Sequence, residues 1–236
     1  MPENRNNTRH WVVVPAAGSG RRMAGSRPKQ YLPLAGLPVI THSLVRLHRA
    51  VQPSAIVVAL RAGDDDWPQI NKPDCNIITV EGGDERSDSV LNGLIALADL
   101  AAADDWVWVH DAARPCVRID DMLKLKQQIR DHAVGGLLAL QVTDTVKQAD
   151  AQQHAVGTVD RSNLWRALTP QVFRYGLLHE ALQYARHENL VITDDAQAVE
   201  LSGHKPLLVE AHADNIKITR QEDLPLAELY LRLQDK

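Results

Sequence analysis

The stretch from Trp11 to Gln30, WVVVPAAGSGRRMAGSRPKQ, constrains this chain more than any other. An apolar run, Trp11 to Val14, stops at Pro15 and opens into Ala16-Ala17-Gly18-Ser19-Gly20, with Arg21, Arg22 and Lys29 close behind. A short apolar run bounded by turn residues reads as a buried strand. A glycine-bearing loop at its end lets backbone N–H groups approach and surround phosphate oxygens. The pattern predicts a nucleotide site; the plainer alternative is a glycine turn with solvated arginines.

Spelling excludes two common phosphate loops. No Gly-Lys-Ser/Thr closes the loop as a P-loop would require. A dinucleotide fingerprint would need a third glycine where Met23 stands, and an acid about twenty residues on for the ribose. Between Glu3 and Asp64 there is no acid at all. Residues 4–63 therefore carry +9, leaving −13 for the rest of a chain whose net charge is −4. Such an asymmetry points to a cationic pocket for a polyanion. It also disfavours a dinucleotide-dependent oxidoreductase, and the mild overall charge disfavours nucleic acid as a partner.

The 236 residues suffice for one α/β domain, read as 11–236 behind a loose tail, 1–10. Cys75 and Cys116 show no paired spacing and fit reduced thiols, Cys116 as a small buried group. With no signal peptide and no apolar stretch of bilayer-spanning length, the reading is cytoplasmic, with no membrane association.

Buried strands are predicted at Val12–Val14, Ile56–Leu60, Ile77–Val80, Val107–Val109 and Leu137–Leu140. Helical patterns lie between them at Val39–Ala50, Asp65–Ile70, Ser87–Leu100 and Asp120–His132. This alternation implies a Rossmann-like, three-layer, mostly parallel sheet with helices on both faces. Ligands then bind beyond the carboxyl ends of the strands. The rhythm breaks at 141–161, where two alternating runs flank a polar tip at Gln148–Gln153 and predict a protruding β-hairpin arm. Alone such a hairpin is marginal, so it is expected to pack on something else, such as another subunit. Further helices are expected near 174–187 and 194–202, a strand at Pro206–Val209, and a final helix at Gln221–Leu233 capped by Thr219 with Glu222.

Polar residues gather at the strand ends. Gly82-Gly83-Asp84-Glu85-Arg86 opens a helix whose entry holds Ser87 and Ser89, either a ligand-holding turn or simply a turn and cap. His110-Asp111-Ala112-Ala113-Arg114 follows a strand; Asp111 there can accept a sugar hydroxyl or hold a metal. Arg114 could equally pair with Asp111 for structure alone, and His110 is given no catalytic role. Asp160-Arg161 and Asp214 to Thr219, with Lys217, each offer a cation flanked by orienting groups.

PAAGSGRRM…PKQY, GGDERSDSV, VHDAARP, DTVK, TVDR, LWRALTPQ, ITDDA and DNIKIT occur in this order over residues 12–219. In this the chain resembles the sugar-phosphate cytidylyltransferases, and among them the 2-C-methyl-D-erythritol 4-phosphate cytidylyltransferase family. The resemblance implies CTP and a polyol phosphate as substrates, Mg²⁺ bound mainly through CTP phosphates, and a homodimer with exchanged hairpin arms. It implies that Arg22 and Lys29 stabilise charge at the α-phosphate, and that Arg161 and Lys217 position the attacking phosphate. Ala16, Ala17, Gly18, Gly20, Lys29, Gly83, Asp84 and Ser89 match nucleotide contacts. Asp111, Arg114, Thr145 and Thr169 match acceptor contacts. Asp195 stands where some relatives carry Glu. Ribitol 5-phosphate is the alternative acceptor, and a non-catalytic nucleotide-binding protein the more distant alternative.

Overall fold

The computed structural model describes residues 8–18 and 27–234. Its seven-stranded sheet is built on β1 (His10–Pro15), whose consecutive side chains enter opposite cores. Val12 and Val14 pack on one face with Ile56, Val58 and Trp108, while Trp11 and Val13 pack on the other with Val57 and Val107. That is the period-2 signature of a strand covered on both sides. β4 (Ala55–Leu60) is buried along its whole length for the same reason.

The remaining elements follow in order. A small antiparallel pair, β2 (Pro33–Leu34) and β3 (Leu37–Pro38), precedes α1 (Val39–Val51). Then come β4, β5 (Ile77–Glu81), α2 (Arg86–Ile95), β6 (Trp106–Val109), α3 (Ile119–Ile129) and β7 (Gly135–Gln141). β8 (Val146–Ala149) and β9 (Ala155–Val159) pair only with each other, antiparallel and largely exposed, at the predicted arm. The chain closes with β10 (Trp165–Arg174), α4 (Tyr175–His187), α5 (Asp195–Leu201), β11 (Leu207–Glu210) and α6 (Asp223–Gln234).

The sheet order is β11-β7-β10-β6-β1-β4-β5. β10 alone runs against its neighbours, so the sheet is mostly parallel, as the alternation predicted. Leu44 and Leu47 of α1 and Met122 and Leu125 of α3 cover one face; Leu91 and Leu94 of α2 and Leu178 and Leu182 of α4 cover the other. The carboxyl ends of β1, β5 and β6 consequently share one edge. A third apolar cluster, including Cys116, Ile218, Ala227 and Leu231, seats α6 behind the segment that carries Lys217.

Local readings needed adjustment. α2 ends at Ile95, not Leu100, and Asp65–Ile70 forms only a 3-10 turn at Trp67–Gln69. The α6 entry is held by Asp223, whose carboxylate accepts from the N–H groups of Thr219 (2.7 Å) and Arg220 (2.9 Å) and the Thr219 hydroxyl (3.0 Å). Thr219 is therefore a donor to the cap, and the box with Glu222 does not form.

Candidate active site

Two walls meet over the shared strand edge, enclosing a cavity of about 450 Å³. The first is built mainly from backbone. Pro15 to Gly18 leave β1, and the buried Gln30 amide donates to the carbonyls of Ala16 (2.8 Å) and Gly18 (3.3 Å), fixing the loop from behind. Gln30 sits in a 3-10 turn, Lys29–Tyr31, that also brings Lys29 into the cavity, its Nζ 3.0 Å from the Ile218 carbonyl oxygen. Behind this turn the first acids after the acid-free stretch act as anchors. Tyr31 donates its hydroxyl to Asp64 (3.0 Å), and Arg27 pairs with Asp66 (2.9 Å).

Opposite lies the Gly82-Gly83 turn. Gly82 N–H donates to the Leu60 carbonyl (2.7 Å), and Gly83 N–H donates to Ser89 Oγ (3.1 Å). A Cβ at Gly82 would come within 2.4 Å of the Ala17 Cβ, and one at Gly83 within 2.2 Å of the Asp88 Cβ. Only glycine permits the two loops to approach this closely. Glu85 and Asp88 close a capping box on α2, so the turn-and-cap reading is met, and the same turn lines the cavity.

The second wall is made of charged side chains. Asp111 follows β6 and is nearly buried, with Oδ1 2.9 Å from Arg86 Nε and Oδ2 2.8 Å from Lys217 Nζ. Arg114 Nε lies 3.6 Å from the same Oδ2. Burial pushes the Asp111 carboxyl up, but Arg86, Lys217 and Arg114 outweigh it and hold the group well below the usual carboxylate range. The Arg114 guanidinium is pulled down, chiefly by burial. Arg86 reaches a second acid, with Nη2 2.9 Å from Oδ2 of Asp195, which is 0 % exposed. Burial pulls the Arg86 guanidinium down, and the two carboxylates more than reverse this.

Hydrogen bonds stiffen this wall. The Arg114 carbonyl can only accept, so the His110 Nε2 at 3.1 Å carries the proton and Nδ1 accepts from the Thr169 hydroxyl (3.1 Å). The same hydroxyl accepts from the Asp111 N–H (3.1 Å). Fully buried, His110 has its pKa pushed down to about 4 and is a neutral structural ring near neutral pH. Asn215 donates its amide to the Thr169 carbonyl (2.9 Å), and Arg114 donates to the Asn215 carbonyl (2.8 Å), tying the Lys217 segment to β10. Thr169 lies where the register of β10 against β7 shifts, between Ala167 and Gln171.

The predicted nucleotide residues Ala16, Ala17, Gly18, Gly83, Asp84 and Ser89 all line this cavity. So do Lys29, Asp111 and Lys217. Arg114 and Thr169 line an adjoining cavity of about 250 Å³ that shares Arg86, Asp111 and Lys217. Thr145 and Arg161 are exposed at the base of the arm and line neither. Gly20, Arg21 and Arg22 lie outside the described residues. Cys116 is buried behind the site with its thiol pushed up to about 12, mainly by burial, and is chemically quiet.

The sequence reading gave no site role to Gln30 or Arg86, and noted Asp195 only as a departure from some relatives. Each stands inside a quoted motif, PKQY, GGDERSDSV or ITDDA, but nothing in spacing says which residues face one another. In the last, Asp194 caps α5 by accepting from the Gln197 N–H (2.9 Å), which leaves Asp195 to point inward.

The family profile described as "IspD: 2-C-methyl-D-erythritol 4-phosphate cytidylyltransferase" matches residues 10–233. A protein of that name from Hahella chejuensis is 50 % identical over 223 residues, covering 94 % of this chain and 92 % of its own. One from Pseudomonas fluorescens is 50 % identical over 216 residues, covering 91 % and 92 %. The crystal structure of the Francisella tularensis protein of that name superposes with a TM-score of 0.82 at 37 % identity, over 94 % of this chain and 100 % of that one. With the glycine-turn wall and the Asp111 wall both in place, this chain belongs to the 2-C-methyl-D-erythritol 4-phosphate cytidylyltransferase family.

Proposed function

We propose that the protein transfers CMP from CTP to 2-C-methyl-D-erythritol 4-phosphate, a step of non-mevalonate isoprenoid synthesis. An oxygen of the acceptor's phosphate attacks the α-phosphorus, the bond to the bridging α–β oxygen breaks, and pyrophosphate leaves with that electron pair. The product is CDP-methylerythritol. The observation that carries this reading is one cavity with two unlike walls, a backbone cradle holding Lys29 and a cationic cluster around Asp111. Such transfer needs positioning and charge neutralisation more than covalent help.

The backbone wall takes the nucleotide, with Lys29 and, as the family resemblance implies, Arg22 acting on the α-phosphate. The charged wall takes the acceptor. Asp111 is already ionised and accepts polyol hydroxyls through lone pairs that its cations leave open. Lys217 rests on Asp111 and is placed to shift to the incoming phosphate. Because Asp111 is occupied by Arg86 and Lys217, it is a poor metal ligand, and a divalent cation, taken as Mg²⁺, enters as part of the CTP complex.

We read residues 11–236 as one catalytic domain that works as a homodimer. The exposed arm then carries Thr145 and Arg161 to the partner's cavity, which accounts for their distance from their own. Equal mixing of Lys29→Ala with Arg161→Ala protein tests the exchange. Random reassortment leaves one intact site in each mixed dimer, so activity returns to about a quarter of wild type. No recovery on mixing, with reassortment verified, would rule out exchanged arms. The reaction itself is tested by pyrophosphate release from CTP and Mg²⁺ with each acceptor. Methylerythritol phosphate is expected to support turnover, and a preference for ribitol 5-phosphate would overturn the assignment. No helix among the described residues is long and apolar enough to cross a membrane.

A further inference from the structure

Arg86 and Asp195 are the charged groups beside the acceptor wall that the proposed reaction leaves without a task. They begin α2 and α5, two helices from opposite halves of the chain. Arg86 bridges two acids, with one nitrogen 2.9 Å from Asp111 and another 2.9 Å from Asp195. Asp195 is fully buried; its Oδ2 rests on Arg86, and among the described residues its Oδ1 has no hydrogen-bond partner. Its contact with Arg86 is thus a charged one made through a single oxygen. A buried carboxylate with one oxygen left unpartnered is costly to keep. Packing does not require it, since an amide or an apolar group would fill the same space.

Arg86 also lines both cavities, where two polyanions must gather. A guanidinium at that place is attracted to incoming phosphates unless something behind it pulls back. We propose that Asp195 is a positioning residue that tethers Arg86 at the rear of the cavity. Arg86 then stays on Asp111 when Lys217 leaves Asp111 for the acceptor's phosphate. Asp111 thereby keeps a cation and a fixed direction throughout binding, and its open lone pairs stay aimed at the polyol. Loss of the tether lets Arg86 follow the triphosphate and frees Asp111 to rotate. The effect is selective: acceptor recognition suffers, and nucleotide binding does not.

This rests on the proposed transfer reaction, and the experiment separates the two. Steady-state pyrophosphate release is measured for wild type, Asp195→Asn and Arg86→Lys, varying each substrate, with thermal melting of each protein. Asparagine keeps the size and removes the charge; lysine keeps the charge but cannot span two carboxylates. Both variants are expected to raise the acceptor KM about tenfold, the scale of one charge-assisted hydrogen bond, with CTP KM changed less than about twofold. Equal rises in both KM values, an unchanged acceptor KM, or loss of folding in both variants would overturn the tether and leave a structural role. A wild-type protein inactive on this substrate pair would instead overturn the reaction.

Discussion

The two walls of the cavity are built on opposite principles. The nucleotide wall relies on backbone approach: Gly82 and Gly83 against Ala17 and Asp88, with Gln30 fastening the β1 loop. The acceptor wall relies on compensated charge: Asp111 against Arg86, Lys217 and Arg114, with Asp195 behind. In the proposed reaction a nucleobase and triphosphate present the same edges in every turnover, which a preorganised backbone can match at no cost in side-chain entropy. A polyol phosphate is small and hydroxyl-rich, and each hydroxyl needs an oriented side-chain partner. The first wall should therefore fail by steric damage and the second by loss of charge.

Lys29 is the point where this division is tested most severely, because it is a charge set on the backbone wall. Lys29→Ala is expected to lower turnover on the order of 10²–10³, the usual consequence of deleting one stabiliser of transition-state charge. The KM for CTP should move far less, since the proposed nucleotide contacts at Gly18, Gly83 and Ser89 are untouched by the substitution. A single-turnover rate equal to wild type would remove Lys29 from the chemistry and make the wall purely a binding surface.

Gly83→Ala breaks the comparison from the other side. The added Cβ would lie 2.2 Å from the Asp88 Cβ and 3.3 Å from its backbone carbon, so the turn or α2 must shift. Overpacking of this kind costs about 1–3 kcal/mol. The CTP KM should rise with it while the acceptor KM holds, the reverse of Asp195→Asn. If both variants weakened the same substrate, the two-wall description would be wrong.

How much of this the chain disclosed follows the same division. The apolar runs Val12–Val14 and Ile56–Leu60 disclosed the strands because strands buried on both faces leave an unbroken hydrophobic signal. β10 gave no such signal, since LWRALTPQVF is interrupted by Arg166 and by Pro170, the latter where its pairing is irregular. The backbone wall was legible because glycine announces close approach, and Ala16 to Gly18 and Gly83 all line the cavity. The acceptor wall was legible residue by residue but not as pairs. Arg86 and Asp195 come from distant motifs, and only folding brings them within 2.9 Å. Arg114 does pair with Asp111, as one part of a larger charged cluster that its neighbours in sequence do not reveal.

Acid gives the smallest and sharpest separation of the walls. An unfolded histidine protonates near 6.5, whereas His110 in the folded chain does so only near 4. Between those values the unfolded chain takes up a proton that the folded one refuses, so stability is complete above about 6.5 and falls as pH drops towards 4. By about pH 5 the loss from this ring is on the order of 1–2 kcal/mol. Asp111 works lower, because its carboxyl is held below 3.8 and its contribution disappears only in stronger acid. Asp195 opposes both: burial raises its pKa, so its charge weighs against the fold at neutral pH and that burden lifts on acidification. The ring resonances of His110 should therefore show no inflection above about pH 5 while the melting temperature declines from about pH 6.5 downward. The nucleotide wall has no histidine among its described lining residues, so its own geometry should be indifferent over this range. An inflection of His110 near 6.5 would mean that water reaches the ring, and the acceptor wall would then be softer than its hydrogen bonds to Thr169 and Arg114 require.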